Sequence, residues 1–312
     1  MTRALPALLT MLVCVVLLAA RTSPAQDAPT GVVAPGVRVV ELAGDFRFTE
    51  GPARNAKGDV YFSDIPASRM YKWSSEGGVS LVRENTARGN GLAFDAAGNL
   101  LVCETANRRI VSIDAAGKVS VVADRCGGQR FNQTNDLWID PRGGVYLSDP
   151  MYGSKPKTPS DEHVYYVTPG RKQVIRVTSD LVRPNGLVGT PDGKTLYVGD
   201  HAGGKTYRYA VNDDGTLRDK TLFAPLGSDG MTIDGDGNVY MTTDAVVVYN
   251  AAGRQIARIE VPQQPTNLCF AGKDGRTLVI TAGTALYAVE TTRSGVNNGP
   301  TSRPICPSEE SP

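Results

Sequence analysis

From Glu50 to Glu290 short apolar runs alternate with turns rich in Gly, Asp and Asn, and the alternation repeats. Six segments share one layout: a short polar residue, an apolar strand, a turn and a second apolar strand. They open at Glu50 (EGPARNAKGDVYFSD), Asn90 (NGLAFDAAGNLLVCE), Asn135 (NDLWIDPRGGVYLSD), Asn185 (NGLVGTPDGKTLYVGD), Asp229 (DGMTIDGDGNVYMTT) and Thr266 (TNLCFAGKDGRTLVIT). The intervals are 40, 45, 50, 44 and 37 residues, which is the period of a four-stranded propeller blade. In the first repeat the strands fall roughly at GPARN, DVYFSD, MYKWSS and VSLVRE. The links AKGD, AAGN, PRGG, PDGK, GDGN and KDGR suit hairpins, because Gly and Asn tolerate positive φ. The predicted fold is all-β: a six-bladed β-propeller with four antiparallel strands per blade.

The last repeat has room for only three strands, LCF, TLVIT and LYAVE, which would leave an edge unpaired. The β-branched run Val37–Leu42 (VRVVEL) precedes the first blade and is placed to supply the missing outer strand, closing the ring. The propeller is therefore expected over residues 37–290, after a Pro/Gly/Ala-rich linker at 26–36 and before a tail at 291–312 that has no apolar pattern and is expected to be disordered.

Residues 1–25 differ in kind. Arg3, an apolar run from Ala4 to Ala20 and the small residues Ser23-Pro24-Ala25 read as a signal peptide. The expectation is a periplasmic or secreted protein with no stable membrane insertion after cleavage; an uncleaved anchor is the alternative. Export permits disulfides. Cys103 and Cys269, inside strand-like runs, suit small buried residues, whereas Cys126 and Cys306 are expected to be more exposed. With 33 basic and 32 acidic side chains the net charge is +1, which gives no reason to expect nucleic acid as a partner. Oligomeric state is not encoded in any visible pattern.

Radial repetition brings the first residue of every innermost strand to one mouth of the central channel. Glu50, Asn135, Asn185 and Asp229 would then face one another, and all are oxygen donors suited to a hard cation. Two carboxylates and two amide carbonyls leave coordination places for water and substrate on calcium; Mg2+, Zn2+ and Mn2+ are alternatives, although zinc ordinarily recruits His or Cys. Asn90 and Thr266 hold the equivalent places in the second and sixth repeats and are expected to line the channel. Only His163 and His201 are present, and no GxSxG occurs, so a Ser-His-Asp hydrolase is not indicated.

Five pieces, TEGPA at 49–53, RFNQTNDLWIDPRGGVYLSDPMYG at 130–153, VRPNGLVGTPDGKTLYVGD at 182–200, GSDGMTIDGDGNVYMTT at 227–243 and QPTNLCFAGKDGRTLVITA at 264–282, occur in order at blade spacing. Over Phe46–Val289 the chain resembles the SMP-30/gluconolactonase/luciferin-regenerating-enzyme family, in particular its bacterial gluconolactonase-like branch. That resemblance implies one divalent cation, usually calcium, held by Glu50, Asn135, Asn185 and Asp229, with Asp229 as general base in the hydrolysis of a lactone. Some members carry Arg two residues ahead of the position of Asn135, where this chain has Gln133. Arg130 and Asn132 are therefore the stronger candidates for recognising substrate hydroxyls, beside Gln133 itself. Asp136 is a candidate outer group or a strand-start ion pair, and Tyr152 a candidate pocket wall. A phosphotriesterase or aryl-esterase on the same site, and a non-catalytic propeller with structural calcium, are the alternatives.

Overall fold

A computed structural model describes residues 31–153 and 162–296. It contains six four-stranded antiparallel sheets and, among the described residues, one short 3-10 turn at Pro169–Arg171. The innermost strands are Thr49–Arg54, Gly89–Phe94, Leu137–Ile139, Pro184–Gly189, Met231–Ile233 and Pro265–Ala271, one for each of blades I to VI. Each contacts the next around a ring, and the last contacts the first. The six-bladed propeller read from the repeat is the fold.

The ring closes as expected. Val40–Ala43 pairs antiparallel with Ala285–Glu290, placing Val40 opposite Ala288, and becomes the outer strand of blade VI. The closing strand begins three residues later than the β-branched run suggests. Side chains reinforce the seam: Thr49 Oγ1 donates to the Ala285 carbonyl at 2.9 Å, and Thr266 Oγ1 to the Thr49 carbonyl at 2.7 Å.

Hairpins between the first two strands of several blades share one device. In blade III, Asp140 Oδ1 accepts from Arg142 N at 2.8 Å and Gly144 N at 2.9 Å, while Gly143 turns the chain at φ 84°. Asp95 with Gly98 and Asp234 with Gly237 repeat it in blades II and V. An Asp carboxylate thus holds backbone N–H groups that a tight turn would otherwise leave unpaired.

Large side chains stack within blade III. Trp138 stacks on Tyr146 with centroids 5.8 Å apart, and Tyr146 lies 4.4 Å from Tyr166. Tyr166 donates to Asp140 Oδ2 at 2.7 Å, which satisfies its hydroxyl inside the apolar layer. His163 and Cys103 are fully buried, with His163 Nδ1 3.1 Å from the Thr178 carbonyl. Cys126 is half-buried, its Sγ donating to the Val174 carbonyl at 3.4 Å; Cys103, Cys126 and Cys269 are all free thiols.

The termini of the propeller extend past the expected limits. Val32, in the segment read as a linker, is 1% exposed in the core of blades V and VI, and its carbonyl accepts from Thr292 N at 2.8 Å. The segment read as a disordered tail begins with placed residues: Gly295 bridges Asp234, and Val296 N donates to the Ile233 carbonyl. Backbone pairing against blade V, invisible in a sequence without apolar periodicity, accounts for the difference. The segment read as a signal peptide, and residues 297–312 with Cys306, lie outside the described residues.

Candidate active site at the channel mouth

Innermost strands crowd the axis, and the residue following each site position shows how tightly. A Cβ on Gly51 would lie 2.2 Å from the Asn90 carbonyl oxygen, on Gly91 2.6 Å from that of Asn135, and on Gly186 2.6 Å from that of Asp229. Glycine at these places lets adjacent strands touch. In blades III and VI the same place carries a polar side chain, Asp136 and Asn267. These blades stand opposite one another in the ring. Their side chains meet across it, Asn267 Nδ2 donating to Asp136 Oδ2 at 3.1 Å.

Above this bridge sit the expected residues. Glu50 is buried, with Oε2 accepting from Gly51 N at 2.5 Å and a further bond from Asn267. Asn185 Nδ2 donates to Asp229 Oδ1 at 2.5 Å and to the Tyr152 hydroxyl at 2.8 Å. Asn135 Nδ2 reaches the same hydroxyl at 3.3 Å. Tyr152 thus ties blades III and IV together. Glu50, Asn135, Asn185 and Asp229 are brought together.

Charge in this cluster is uncompensated. Burial raises the Glu50 carboxyl well above its usual range, and the neighbouring Asp229 and Asp136 carboxylates raise it further. Burial likewise pushes Asp136 and Asp229 up to about 7 each. Three acids in one small volume cannot all ionise unless a cation joins them.

The amides supply a second sign. Asn135 Oδ1 and Asn185 Oδ1 are buried with no hydrogen-bond partner, and so is Asn90 Oδ1. Buried carbonyl oxygens are ordinarily satisfied. Three from consecutive blades, left bare beside carboxylates, match the donor set of a hard divalent cation. Among the described residues no group of three or more His, Cys, Asp or Glu is arranged to hold a metal; the fit therefore depends on amide oxygens. Asn90, expected only to line the channel, carries the same bare oxygen as the predicted ligands. Thr266 does not: its hydroxyl is committed to the Thr49 and Thr281 carbonyls.

The residues expected to recognise substrate lie elsewhere or serve the backbone. Asn132 is 1% exposed, its Nδ2 donating to the Asp149 carbonyl at 3.2 Å and its N to Asp149 Oδ2 at 2.7 Å. Arg130 is exposed in a small hairpin and donates to the Asn107 carbonyl at 2.6 Å. Gln133 Oε1 accepts from Tyr152 N at 2.6 Å, so it positions the tyrosine. A buried loop with no regular pairing draws nearby polar side chains to its own N–H and C=O groups, which explains these departures. Asp136 makes no strand-start ion pair; it is part of the axial bridge. His201 is exposed, consistent with a loop histidine.

Sequence reasoning passed over Asn267. The signal was available: reading the residue after each repeat start gives Gly51, Gly91, Asp136, Gly186, Gly230 and Asn267, with two departures from glycine half a ring apart.

A family model described as the SMP-30/gluconolactonase/LRE-like region matches residues 48–284. The chain belongs to the SMP-30/gluconolactonase/LRE-like family. Within it, the chain is similar to a gluconolactonase of Zymomonas mobilis, 30% identical over 310 residues covering 88% of this chain and 86% of the relative. A pentonolactonase of Haloferax volcanii is 27% identical over 258 residues, covering 78% and 84%. The solved structure of a gluconolactonase from Xanthomonas campestris superposes with a TM-score of 0.77 at 27% identity, over 86% of this chain and 96% of that one.

Proposed function

We propose that this member of the SMP-30/gluconolactonase/LRE-like family is a lactonase, exported from the cytoplasm, that uses a divalent cation, calcium, to hydrolyse a sugar lactone such as gluconolactone. The observation that carries this reading is the set of three bare amide oxygens, on Asn90, Asn135 and Asn185, beside the carboxyls of Glu50 and Asp229. Named relatives that act on gluconolactone and pentonolactone support the substrate class. The apolar segment before residue 25 supports export.

Glu50, Asn135, Asn185 and Asp229 would hold the ion, with Asn90 within the same set. Bound there, it supplies positive charge for polarising the ester carbonyl and stabilising the oxyanion. The side chains do the rest. Asp229 is half-buried and oriented through its Oδ1 by Asn185, which leaves Oδ2 to take a proton from the attacking water. Tyr152 fixes both asparagine amides by accepting from each Nδ2, so that both Oδ1 atoms stay clear of protein donors. Water adds its oxygen to the carbonyl carbon, the ring C–O bond breaks, and the departing alkoxide takes up the proton. The product is a hydroxy acid.

The test is hydrolysis of gluconolactone followed with a pH indicator before and after chelation. Treatment with EDTA is expected to abolish turnover and added calcium to restore it. Undiminished hydrolysis in excess chelator would refute the metal-dependent reading.

A further inference from the structure

The residue two places ahead of each repeat start is Phe48, Arg88, Gln133, Arg183, Gly227 or Gln264 in blades I to VI. Blades II and IV therefore carry arginine on either side of Gln133. Both arginines adopt a left-handed backbone, φ 55° at Arg88 and 63° at Arg183, which a residue with a Cβ does not choose without a reason.

Arg183 shows what that reason is. Its guanidinium carbon lies 5.2 Å from the centroid of the Tyr152 ring, whose hydroxyl holds the Asn135 and Asn185 amides. One aromatic ring therefore separates a fixed cation from the proposed metal ligands. The Arg183 Nε is buried with no hydrogen-bond partner. Glu162, which packs here, uses Oε2 to accept from the Arg183 backbone N at 3.0 Å and Oε1 to accept from Met151 N at 2.7 Å. A guanidinium is a planar fork of donors suited to a carboxylate or phosphate. Held by left-handed backbone against a site wall, with an Nε that no protein acceptor satisfies, the Arg183 guanidinium has donor capacity that the fold does not use.

We infer that Arg183 is a substrate-binding residue, and that the preferred substrate is a lactone bearing an anionic substituent, carboxylate or phosphate, remote from its ring carbonyl. This rests on the lactonase reading above. With the ester carbonyl among Glu50, Asn135, Asn185 and Asp229, the far end of a sugar-sized lactone would extend along the Tyr152 wall toward Arg183. The Glu50, Asp136 and Asp229 carboxyls cluster at the axis, so an anionic substituent is better placed away from them. The arginine rim is where such a charge is welcome. The substituent is not altered in the reaction; only the ring ester is hydrolysed.

Three lactones test this on the calcium-loaded protein: a neutral aldonolactone, its analogue with a terminal carboxylate and its analogue with a terminal phosphate. One charged analogue is expected to exceed the neutral one in kcat/KM by at least about tenfold, and which one identifies the anion. Arg183→Gln should raise KM for that analogue by about tenfold or more while kcat, neutral-lactone KM and calcium affinity each change less than about threefold. Arg183→Lys, which keeps the charge and loses the fork, should fall between. On the wild-type protein, added salt should lower kcat/KM for the charged lactone alone. A preference for the neutral lactone, equal losses on both substrates, or no differential salt effect would each overturn the inference while leaving the lactonase reading intact. Hydrolysis of none of the three would overturn that reading itself.

Discussion

Asn185 separates two roles on two atoms of one amide: Nδ2 orients Asp229 and bonds Tyr152, while Oδ1 accepts no hydrogen bond and is free for the proposed cation. Division of labour at this scale gives two expectations. Asp229→Asn keeps an oxygen for the proposed ion and removes the proposed base. Initial rates should fall by about 100-fold or more, whereas calcium affinity by calorimetry should weaken by about tenfold at most; equal losses would make Asp229 a ligand only. Tyr152→Phe removes the acceptor of two amide hydrogens. The freed amides can turn, and calcium affinity should drop about 10–100-fold; unchanged affinity would show that other contacts hold them. Glu50, Asn135, Asn185 and Asp229 were legible because repetition aligns them before any coordinates exist. The backbone partners of Asn132 and Gln133, the Asp149 carbonyl and Tyr152 N, were not legible because they are fixed by a loop path that sequence does not display. Thr266, expected to line the channel, commits its hydroxyl to the Thr49 and Thr281 carbonyls at the seam.

Hairpins and inner strands set where those side chains sit. An Asp at the turn start and a Gly three residues later specify the reversals of blades II, III and V locally, which is why those strand pairs could be read from the chain. Inner-strand glycines are specified by a neighbour instead. Gly186→Ala would place a methyl 2.6 Å from the Asp229 carbonyl oxygen, a contact with backbone that no side-chain rotation relieves. Loss of roughly 1–3 kcal/mol is expected, with Asp229 displaced. Thermal unfolding and calcium binding should both register the change, and a variant unaltered in both would show that blades IV and V can part without cost. Element ends were less legible than elements. Val32 and Gly295 gain their places from strands far along the chain, and no local pattern announces that.

Ring closure and axial charge belong to the molecule as a whole. Asp136 and Asp229 titrate near about 7 in the folded protein and near about 3.9 when unfolded. Raised acids contribute stability that is complete below the unfolded value and is lost as pH climbs through the folded one. The metal-free protein should therefore lose stability between about pH 4 and about pH 7, as the unfolded chain ionises first. In the proposed metal reading calcium would compete with those protons, so its affinity should rise over the same interval, and its effect on Tm should be larger at pH 7 than at pH 5. Differential scanning fluorimetry across that range, with and without calcium, checks both signs; a calcium effect independent of pH would place the ion away from these acids.

The link between Asp136 and Asn267 joins opposite sides of the ring. It sets two polar side chains across the axis beside the acids. A lactone and the hydroxy acid made from it would engage the same cluster, so the two contend for one place. Accumulated product should slow turnover by purely competitive inhibition.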